Sequence, residues 1–285
     1  MKHEILLKPI LKWAGGKRQL LPKITPHIPD DIGTYIEPFV GGAAVLLHLQ
    51  PKNAIINDYN EELINVYRTV KNNPEQLLVE LQKHSSNNSE FGKEYFYQIR
   101  KWDRNPNEFL SEYSDVERAG RIIYLNKTCF NGLFRVNSQG QFNTPYGKYI
   151  NPNIINKPSI MALHNYLNEN DIKIMQGDYK ESLKNLPENS FVYLDPPYLP
   201  ISSSSSFTGY TDNGFSLEDQ IELKHQCDLL NKQGIRFLMS NSNHKKIHEL
   251  YSSYHVDDTV SAKRNINSKG NLRGHINEVL IKNYE

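Results

Sequence analysis

The sequence predicts an α/β fold with a parallel sheet, formed by two segments of the chain and interrupted by an insert. Apolar segments alternate with amphipathic ones over roughly the first 70 residues, and the alternation resumes at Asp171. A glycine turn follows the first apolar segment, which is typical of a strand–turn–helix connection. We therefore expect one sheet domain at 1–71 and 170–285, and an inserted domain at 72–169.

The first segment reads as a βαβ unit. Strands are predicted at 34–40 and 53–60, with a helix opened by the glycines at 41–42 between them. The next helix, 61–73, places apolar residues at Leu63, Ile64, Tyr67 and Val70, which is helical spacing.

The insert is predicted to be mainly helical, with helices at 75–84, 89–101 and 108–125. A hairpin is predicted at 135–143, RVNSQGQFN, where Ser-Gln-Gly supplies the turn.

In the last segment we expect a helix at 216–234, capped by Ser216 and ended by Gly234. Strands are predicted at 172–178, 190–195, 235–242, 254–261 and 276–284. The serine run Ser202–Ser206 predicts a mobile loop.

The composition is that of a globular protein, with 38% hydrophobic and 23% charged residues. No apolar run is long enough to span a bilayer, and the N-terminus lacks the apolar core of a signal peptide. Cys129 and Cys227 are far apart in sequence, so we expect a reduced, cytoplasmic protein. Since no Cys and His cluster has zinc spacing, we expect no metal.

Charge is distributed unevenly although the net charge is only +1. The 51 residues from Arg118 to Asn168 contain no Asp or Glu. They contain six basic residues: Arg118, Arg121, Lys127, Arg135, Lys148 and Lys157. This window predicts either a solvated polar loop region or a surface that meets phosphates.

Two candidate ligand-binding segments follow strands, where open parallel sheets bind their ligands. Glu37-Pro38-Phe39-Val40-Gly41-Gly42 ends the first strand with a turn that lets a ligand approach the backbone. Asp58 lies near the end of the next strand and could accept hydrogen bonds from a ribose diol. A plain glycine turn and a helix-capping aspartate are the alternatives. Taken together with Asp195, which follows a third strand, these segments favour a nucleoside-containing ligand across the strand ends.

A third candidate segment is Asp195-Pro196-Pro197-Tyr198, directly after an apolar run. Proline has no N–H for the strand ladder, so the strand should stop at Leu194 and leave Asp195 at its carboxyl end. A helix-capping aspartate before a Pro-Pro turn is the alternative. Upstream, Trp13-Ala14-Gly15-Gly16-Lys17 places a lysine that can pair with a carboxylate beside a tryptophan that could also be a core residue.

These motifs, in this order, resemble those of the Dam family of DNA adenine-N6 methyltransferases, the D12 class or alpha group. The resemblance covers nearly the whole chain and is especially close to the GATC methylase of DpnII-type restriction-modification systems. It implies a Rossmann-like class I methyltransferase sheet with helices on both faces, and S-adenosylmethionine as the methyl donor. The serine run at 202–206 departs from the family pattern.

The resemblance also implies roles for residues. Trp13, Gly15 and Lys17 would hold the donor's amino-acid end, and Asp58 its ribose hydroxyls. The turn from Glu37 and Phe39 to Gly41 would lie against the donor, and Asp178 would lie beside its adenine. Asp195 and the Pro196 carbonyl would accept the N–H groups of the target adenine, Pro197 would stiffen the turn, and Tyr198 would stack on the base.

The insert would then bind double-stranded DNA around an adenine flipped out of the helix. The segment 130–149 resembles the recognition hairpin of GATC methylases. By that match Arg135 reads guanine, Leu133 and Pro145 contact thymine, and Asn131 and Tyr149 hold the opened site. Lys12 matches a lysine that contacts the outer guanine, and a solvated lysine is the alternative.

Two other functions stay open at this stage. A methyltransferase acting on RNA or on a protein amide usually has asparagine in place of Asp195 and needs no hairpin insert. A non-catalytic DNA-binding relative would tend to lose Asp195 and Lys17. We expect a monomer whose functional partner could be a cognate GATC restriction endonuclease.

Overall fold

The computed structural model describes residues 7–199, 215–263 and 275–285. Its strands are β1 (Thr34–Glu37), β2 (Asn53–Asp58), β3 (Asp171–Gln176), β4 (Ser190–Leu194), β5 (Arg236–Ser242), β6 (His255–Lys263) and β7 (His275–Lys282). Its helices are α1 (Leu21–Ile24), α2 (Ala44–Leu49), α3 (Glu61–Asn72), α4 (Pro74–Arg100), α5 (Pro106–Glu112), α6 (Asp115–Thr128), α7 (Lys157–Glu169), α8 (Leu217–Lys232) and α9 (Lys245–Leu250). No helix in these three ranges is long and apolar enough to cross a membrane.

The strands form a seven-stranded mixed sheet in the order β3-β2-β1-β4-β5-β7-β6. β1 pairs in parallel with β2 and β4, and β4 pairs in parallel with β5. β7 runs antiparallel to both β5 and β6. The predicted α/β class is confirmed, and so is the parallel β1–α2–β2 unit.

The residues divide into two units. The first contains 1–16, 41–50 and 58–177, and the second contains 17–40, 51–57 and 178–285. The assignment of 72–169 to target recognition concerns function and stays a prediction.

The first unit contains six of the helices, and its sequence determines where two of them begin. Asn60 caps α3, because its side chain accepts a hydrogen bond from the Leu63 N–H at 2.9 Å. Ser114 and Glu117 form a capping box at the start of α6. The Ser114 cap explains why the predicted helix 108–125 is two helices, α5 and α6, with Tyr113 and Ser114 between them.

The second unit holds the strands β1, β4, β5, β6 and β7, and it also holds β2 as far as Asn57. Every residue of β4 is buried, as expected of a central parallel strand with an unbroken apolar sequence. Ser216 forms a capping box with Asp219 at the start of α8, and Gly234 follows that helix with φ +72°, both as predicted. The core of this unit includes Val192, Leu223 and Phe237.

Several elements differ from the sequence prediction. The two helices predicted at 75–84 and 89–101 are one run, α4, which bends at Gly92, where φ is +48°. Helices α1, α7 and α9 were not predicted. The predicted hairpin at 135–143 contains one isolated bridge, Val136 with Phe142, in place of regular strands, and a second bridge, Cys129 with Tyr146, lies outside it. The Asn and Gly content of the hairpin disfavours a continuous ladder. The predicted Ser202–Ser206 loop lies outside the described residues.

Candidate active site

The turn after β4 has the form that its prolines dictate. The strand ends at Leu194, because Pro196 and Pro197 have no N–H to continue the ladder. Asp195 therefore stands at the carboxyl end of a buried strand. Its side chain is 18% exposed, so the carboxylate is largely withdrawn from water but still reachable.

A buried lysine binds this carboxylate. Lys17 Nζ lies 2.9 Å from Asp195 Oδ1, 3.3 Å from Glu278 Oε2 and 2.6 Å from the Tyr198 hydroxyl. The Tyr198 hydroxyl in turn donates to Glu278 Oε2 at 2.7 Å. The Lys17 ammonium has three N–H donors, and these three contacts can use all of them. We call these four residues the Lys17 cluster.

The charges in the Lys17 cluster do not balance, since two carboxylates share one ammonium group. Burial raises the pKa of Asp195 to about 6, against the opposing effect of Lys17, and the negative charge of Glu278 adds to the rise. The pKa of Lys17 is raised: burial lowers it, but Asp195 and Glu278 together outweigh that effect. Burial also raises the pKa of Tyr198 well above its usual value, so its hydroxyl stays protonated and can donate.

Sequence analysis missed Glu278. It lies 80 residues beyond Tyr198 on β7, where it pairs with Ser242 of β5, and it is 8% exposed. The only signal was one acid within the apolar run of INEVLIKNY. A carboxylate buried in a sheet needs a cationic or hydrogen-bonding partner, and Lys17 is that partner.

In the first unit, Gly41 and Asp58 are brought together as the motif spacing suggested. The Gly41 N–H donates to Asp58 Oδ2 at 2.9 Å, and the Asn60 N–H donates to Asp58 Oδ1 at 3.0 Å. The Tyr67 hydroxyl, which the sequence did not single out, donates to the Gly41 carbonyl at 2.7 Å. Burial raises the pKa of Asp58 despite these N–H donors.

Trp13 is buried in the same unit. Its ring stacks on Phe134 with centroids 4.6 Å apart, and a Cβ on Gly41 would come within 3.0 Å of its Cδ1. The Gly16 N–H donates to the Trp13 carbonyl, and Gly15 has φ +76°, so the WAGG segment forms a tight turn that needs glycine.

The second unit holds the remaining residues proposed from the donor motifs. Glu37 is buried and accepts a hydrogen bond from the Tyr35 hydroxyl at 2.8 Å. Phe39 packs against Tyr179, with ring centroids 4.9 Å apart. The neighbouring Asp178 is exposed and caps a short helix through the Lys180 N–H at 2.9 Å.

Lys12 and the predicted recognition segment meet through Asn126. The Asn126 amide accepts from the Lys12 N–H at 2.9 Å and donates to the Lys12 carbonyl at 2.8 Å and to the Gly132 carbonyl at 3.1 Å. Lys12 is exposed, and the Gly132 backbone lies against its aliphatic chain. Asn131, with φ +56°, and Leu133 flank Gly132, so the structure brings Lys12 to that part of the segment.

Arg135 is oriented by a neighbour across the hairpin. Its Nε donates to Asn143 Oδ1 at 2.7 Å, and the Asn143 N–H donates to the Arg135 carbonyl at 2.9 Å. Pro145 and Tyr149 are exposed on the same segment.

The structure corrects the expectation that every basic residue of the acid-free window meets phosphates. Arg118 and Arg121 are buried and paired with carboxylates, Arg118 with Glu62 and Asp115 and Arg121 with Asp103. Arg118 thereby connects α6 with α3, and Arg121 connects α6 with the segment between α4 and α5, so both guanidinium groups are directed at carboxylates inside the first unit. Lys127, Arg135, Lys148 and Lys157 are exposed or half-buried.

Comparison with known proteins identifies the family. Residues 13–266 match the model of the D12 class N6 adenine-specific DNA methyltransferases, and the chain belongs to this family. It is 45% identical over 283 residues to the Type II methyltransferase M1.LlaDCHI of Lactococcus lactis subsp. cremoris, with 99% of this chain and 98% of the relative covered. It is 42% identical over 293 residues to M.MjaIII of Methanocaldococcus jannaschii, with 98% and 99% covered. The DNA adenine methylase of Escherichia coli K12 is 34% identical over 275 residues, with 95% and 93% covered.

The chain is therefore an adenine-specific DNA methyltransferase, and the resemblance seen in its motifs is confirmed.

Proposed function

We propose that this enzyme transfers the methyl group of S-adenosylmethionine to N6 of an adenine flipped out of duplex DNA, at GATC sites. The observation that carries the proposal is the Asp195 carboxylate at the end of β4, buried and bound by Lys17, in a chain of this family. A structural capping aspartate would not need a lysine buried beneath it.

The chemistry follows from the adenine amine, which is a poor nucleophile because its lone pair is delocalised into the ring. Two fixed acceptors remedy this. Asp195 and the Pro196 carbonyl each accept one N–H, so the nitrogen becomes tetrahedral and its lone pair turns toward the methyl group. Lys17 and Tyr198 both approach Oδ1 of Asp195, and we propose that Oδ2 accepts the substrate N–H. Holding nucleophile and methyl group in line provides much of the rate.

The ionised form of Asp195 is the active one. A carboxylate stabilises the positive charge that develops on the nitrogen, whereas a neutral carboxyl group does not. With its pKa raised to about 6, Asp195 is ionised at neutral pH, yet it is more basic than an exposed aspartate. It is therefore a stronger acceptor for the substrate N–H.

The donor-binding residues fit S-adenosylmethionine, which supplies an electrophilic methyl group when bound. Asp58 is fixed by the Gly41 and Asn60 N–H groups, and its oxygens retain lone pairs for ribose hydroxyls. Gly41 has no side chain, which lets the Trp13 ring lie against its backbone beside Asp58. Trp13, Gly15, Glu37, Phe39 and Asp178 complete the proposed donor residues by match to the family motifs.

To bind the carboxylate of the donor, Lys17 must give up one of its present contacts. Its three N–H donors are already directed at Asp195, Glu278 and Tyr198. The Glu278 contact, at 3.3 Å, is the longest of the three and the one we expect to be given up. Asp195 would then keep its lysine when the donor binds.

For DNA readout we propose that Arg135 binds guanine. Asn143 holds Nε, so the two terminal nitrogens form the fork that guanine O6 and N7 accept in the major groove. Lys12 would contact the outer guanine, Leu133 and Pro145 the thymine methyl, and Asn131 and Tyr149 the opened site.

The test uses labelled S-adenosylmethionine and two short duplexes, one with GATC and one with a single changed outer base pair. Label on adenine in the first duplex alone supports donor, reaction and site together. Equal label in both duplexes refutes GATC readout, and no label in either refutes DNA methylation from this donor. Asp195→Ala should bind the GATC duplex and transfer no methyl group.

Arg135→Ala should relax discrimination against the changed base pair by about 1–3 kcal/mol. Lys157→Ala is the matched control, since loss of an exposed lysine weakens binding to both duplexes equally. Unchanged site preference in Arg135→Ala would remove this residue from the readout.

We place this activity in a restriction-modification setting, because two relatives at 45% and 42% identity are named Type II methyltransferases. In that setting the enzyme protects GATC sites from a cognate endonuclease, and it need not contact that endonuclease. DNA methylated by this enzyme should resist a GATC endonuclease that is blocked by N6-methyladenine, and cleavage of such DNA would contradict the proposal.

A further inference from the structure

We call Asp195-Pro196-Pro197-Tyr198 the catalytic turn. Its backbone offers few groups that can form hydrogen bonds to hold it in place. Pro196 and Pro197 have no N–H groups, so the backbone of these two residues can form hydrogen bonds only through their carbonyls. The Pro196 carbonyl is the one proposed to accept the substrate. Of the two carbonyls, that of Pro197 is therefore the one left to anchor the turn.

A buried glutamine binds that carbonyl. Gln220 of α8 donates from Nε2 to the Pro197 oxygen at 3.0 Å. Its Oε1 accepts from Asn241 Nδ2 of β5 at 3.1 Å, and both side chains are fully buried. Asn241 Oδ1 accepts from the Ser242 N–H at 2.8 Å.

This chain of hydrogen bonds has a fixed direction. The Ser242 N–H is a backbone donor in a strand and cannot reverse, so it requires the oxygen of Asn241. The Asn241 nitrogen must then face Gln220, which turns the Gln220 oxygen toward it and leaves the Gln220 nitrogen for Pro197. Asn241 thus determines that Gln220 presents a donor, and not an acceptor, to the catalytic turn.

We propose that Gln220 and Asn241 are positioning residues for methyl transfer, which fix the Pro197 carbonyl and through it the neighbouring Pro196 acceptor. The proposal rests on the function proposed above. It assigns no substrate contact to either residue. Their effect should fall on the orientation of the amine, where a misplacement of about 1 Å can lower the rate about 10²-fold.

Four variants test this: Gln220→Glu, Gln220→Met, Asn241→Asp and the double variant Gln220→Met/Asn241→Asp. An ionised Glu cannot donate to Pro197, and Met keeps the length of the side chain without polar atoms. Asp accepts from Ser242 but cannot donate to Gln220. The matched control is Gln226→Met on the same helix, where the half-buried Gln226 donates to Glu222 at 2.9 Å and does not contact the turn.

We expect each single variant to lower kcat about 10–100-fold, with the KM for the donor and the Kd for the GATC duplex changed less than about threefold. In the Gln220→Met background, Asn241→Asp should lower kcat no further, because the connection is already cut. Base flipping, read from 2-aminopurine at the target position, should persist. The control should retain wild-type kcat.

A wild-type kcat in the single variants overturns the proposal. It is also overturned if the kcat losses of the two single variants multiply in the double variant, or if donor and DNA binding weaken in parallel with kcat. If all four variants fail to fold, the two amides belong to the core alone and the proposal is equally overturned. Failure of the function itself is distinguishable, since the wild-type enzyme would then label no adenine.

Discussion

Replacing Asp195 with asparagine should abolish methyl transfer and stabilise the protein. The pKa of this carboxyl rises from 3.8 to about 6 on folding, mainly through burial. One pKa unit corresponds to about 1.4 kcal/mol, so the ionised carboxylate disfavours the folded state by about 3 kcal/mol. This value already includes the attraction of Lys17, which keeps Glu278 as a partner in the variant.

The sign of this effect depends on pH. Below about pH 4 the carboxyl is protonated in both the folded and the unfolded state, and Asp195→Asn should match the wild type. Between about pH 4 and pH 6 the wild type loses stability relative to the variant, because the unfolded chain releases the proton first. Above pH 6 the full difference of about 3 kcal/mol should be present, or on the order of 5–10 °C in Tm.

The assay is thermal unfolding followed by circular dichroism at pH values from 4 to 8. Asp228→Asn is the control: burial acts to raise the pKa of that exposed carboxyl, but the hydrogen bonds from Lys224 and Tyr254 together hold it below its usual value. It should therefore lower Tm slightly at pH 8, with the opposite sign. If Asp195→Asn is no more stable than the wild type at pH 8, the carboxylate is not strained by burial and the reasoning fails.

Glu278→Gln should move the acid limb of the activity profile to lower pH, because the charge of Glu278 raises the pKa of Asp195; a limb that stays in place or moves upward refutes this coupling. Gly41→Ala should destabilise the protein by about 1–2 kcal/mol, since φ is +46° and the new Cβ would meet Trp13 at 3.0 Å. Gly140→Ala, at φ +71° with nothing within 4 Å, carries the backbone penalty alone, and equal urea midpoints for these two variants would contradict the Trp13 contact.

Local sequence signals predicted much of the fold. The α/β class, the N-cap of α8 and the end of β4 at Leu194 follow from periodicity, from Ser216 and from the two prolines. The position of β7 between β5 and β6 could not be predicted, because strand order depends on long-range pairing that no local pattern encodes. Ser114 and Glu117 indicated the break between α5 and α6 in the sequence. The prediction followed the apolar spacing instead and joined the two helices.

The residues of the candidate site likewise include some that local sequence signals predicted and some that they did not. Its motifs could be found because turns and strand ends require particular residues: glycine where φ is positive, as at Gly41, and proline where a strand stops. Glu278 and Asn241 could not be found, since each is one polar residue on a buried strand with a partner far along the chain. Such residues become visible only when their hydrogen bonds are traced.

The Lys17 cluster connects the stability cost of Asp195 with its proposed role as an acceptor. Burial has the largest effect on this carboxyl and raises its pKa, whereas the ammonium group of Lys17 lowers it. The negative charge of the second carboxylate, Glu278, adds to the rise, and the pKa of Asp195 is raised to about 6. The folded state is destabilised by about 3 kcal/mol as a result, and in the proposed reaction the amine would meet a carboxylate that is both ionised at neutral pH and unusually basic. The instability of Asp195 would then be a consequence of the same arrangement that makes it a good acceptor in that reaction.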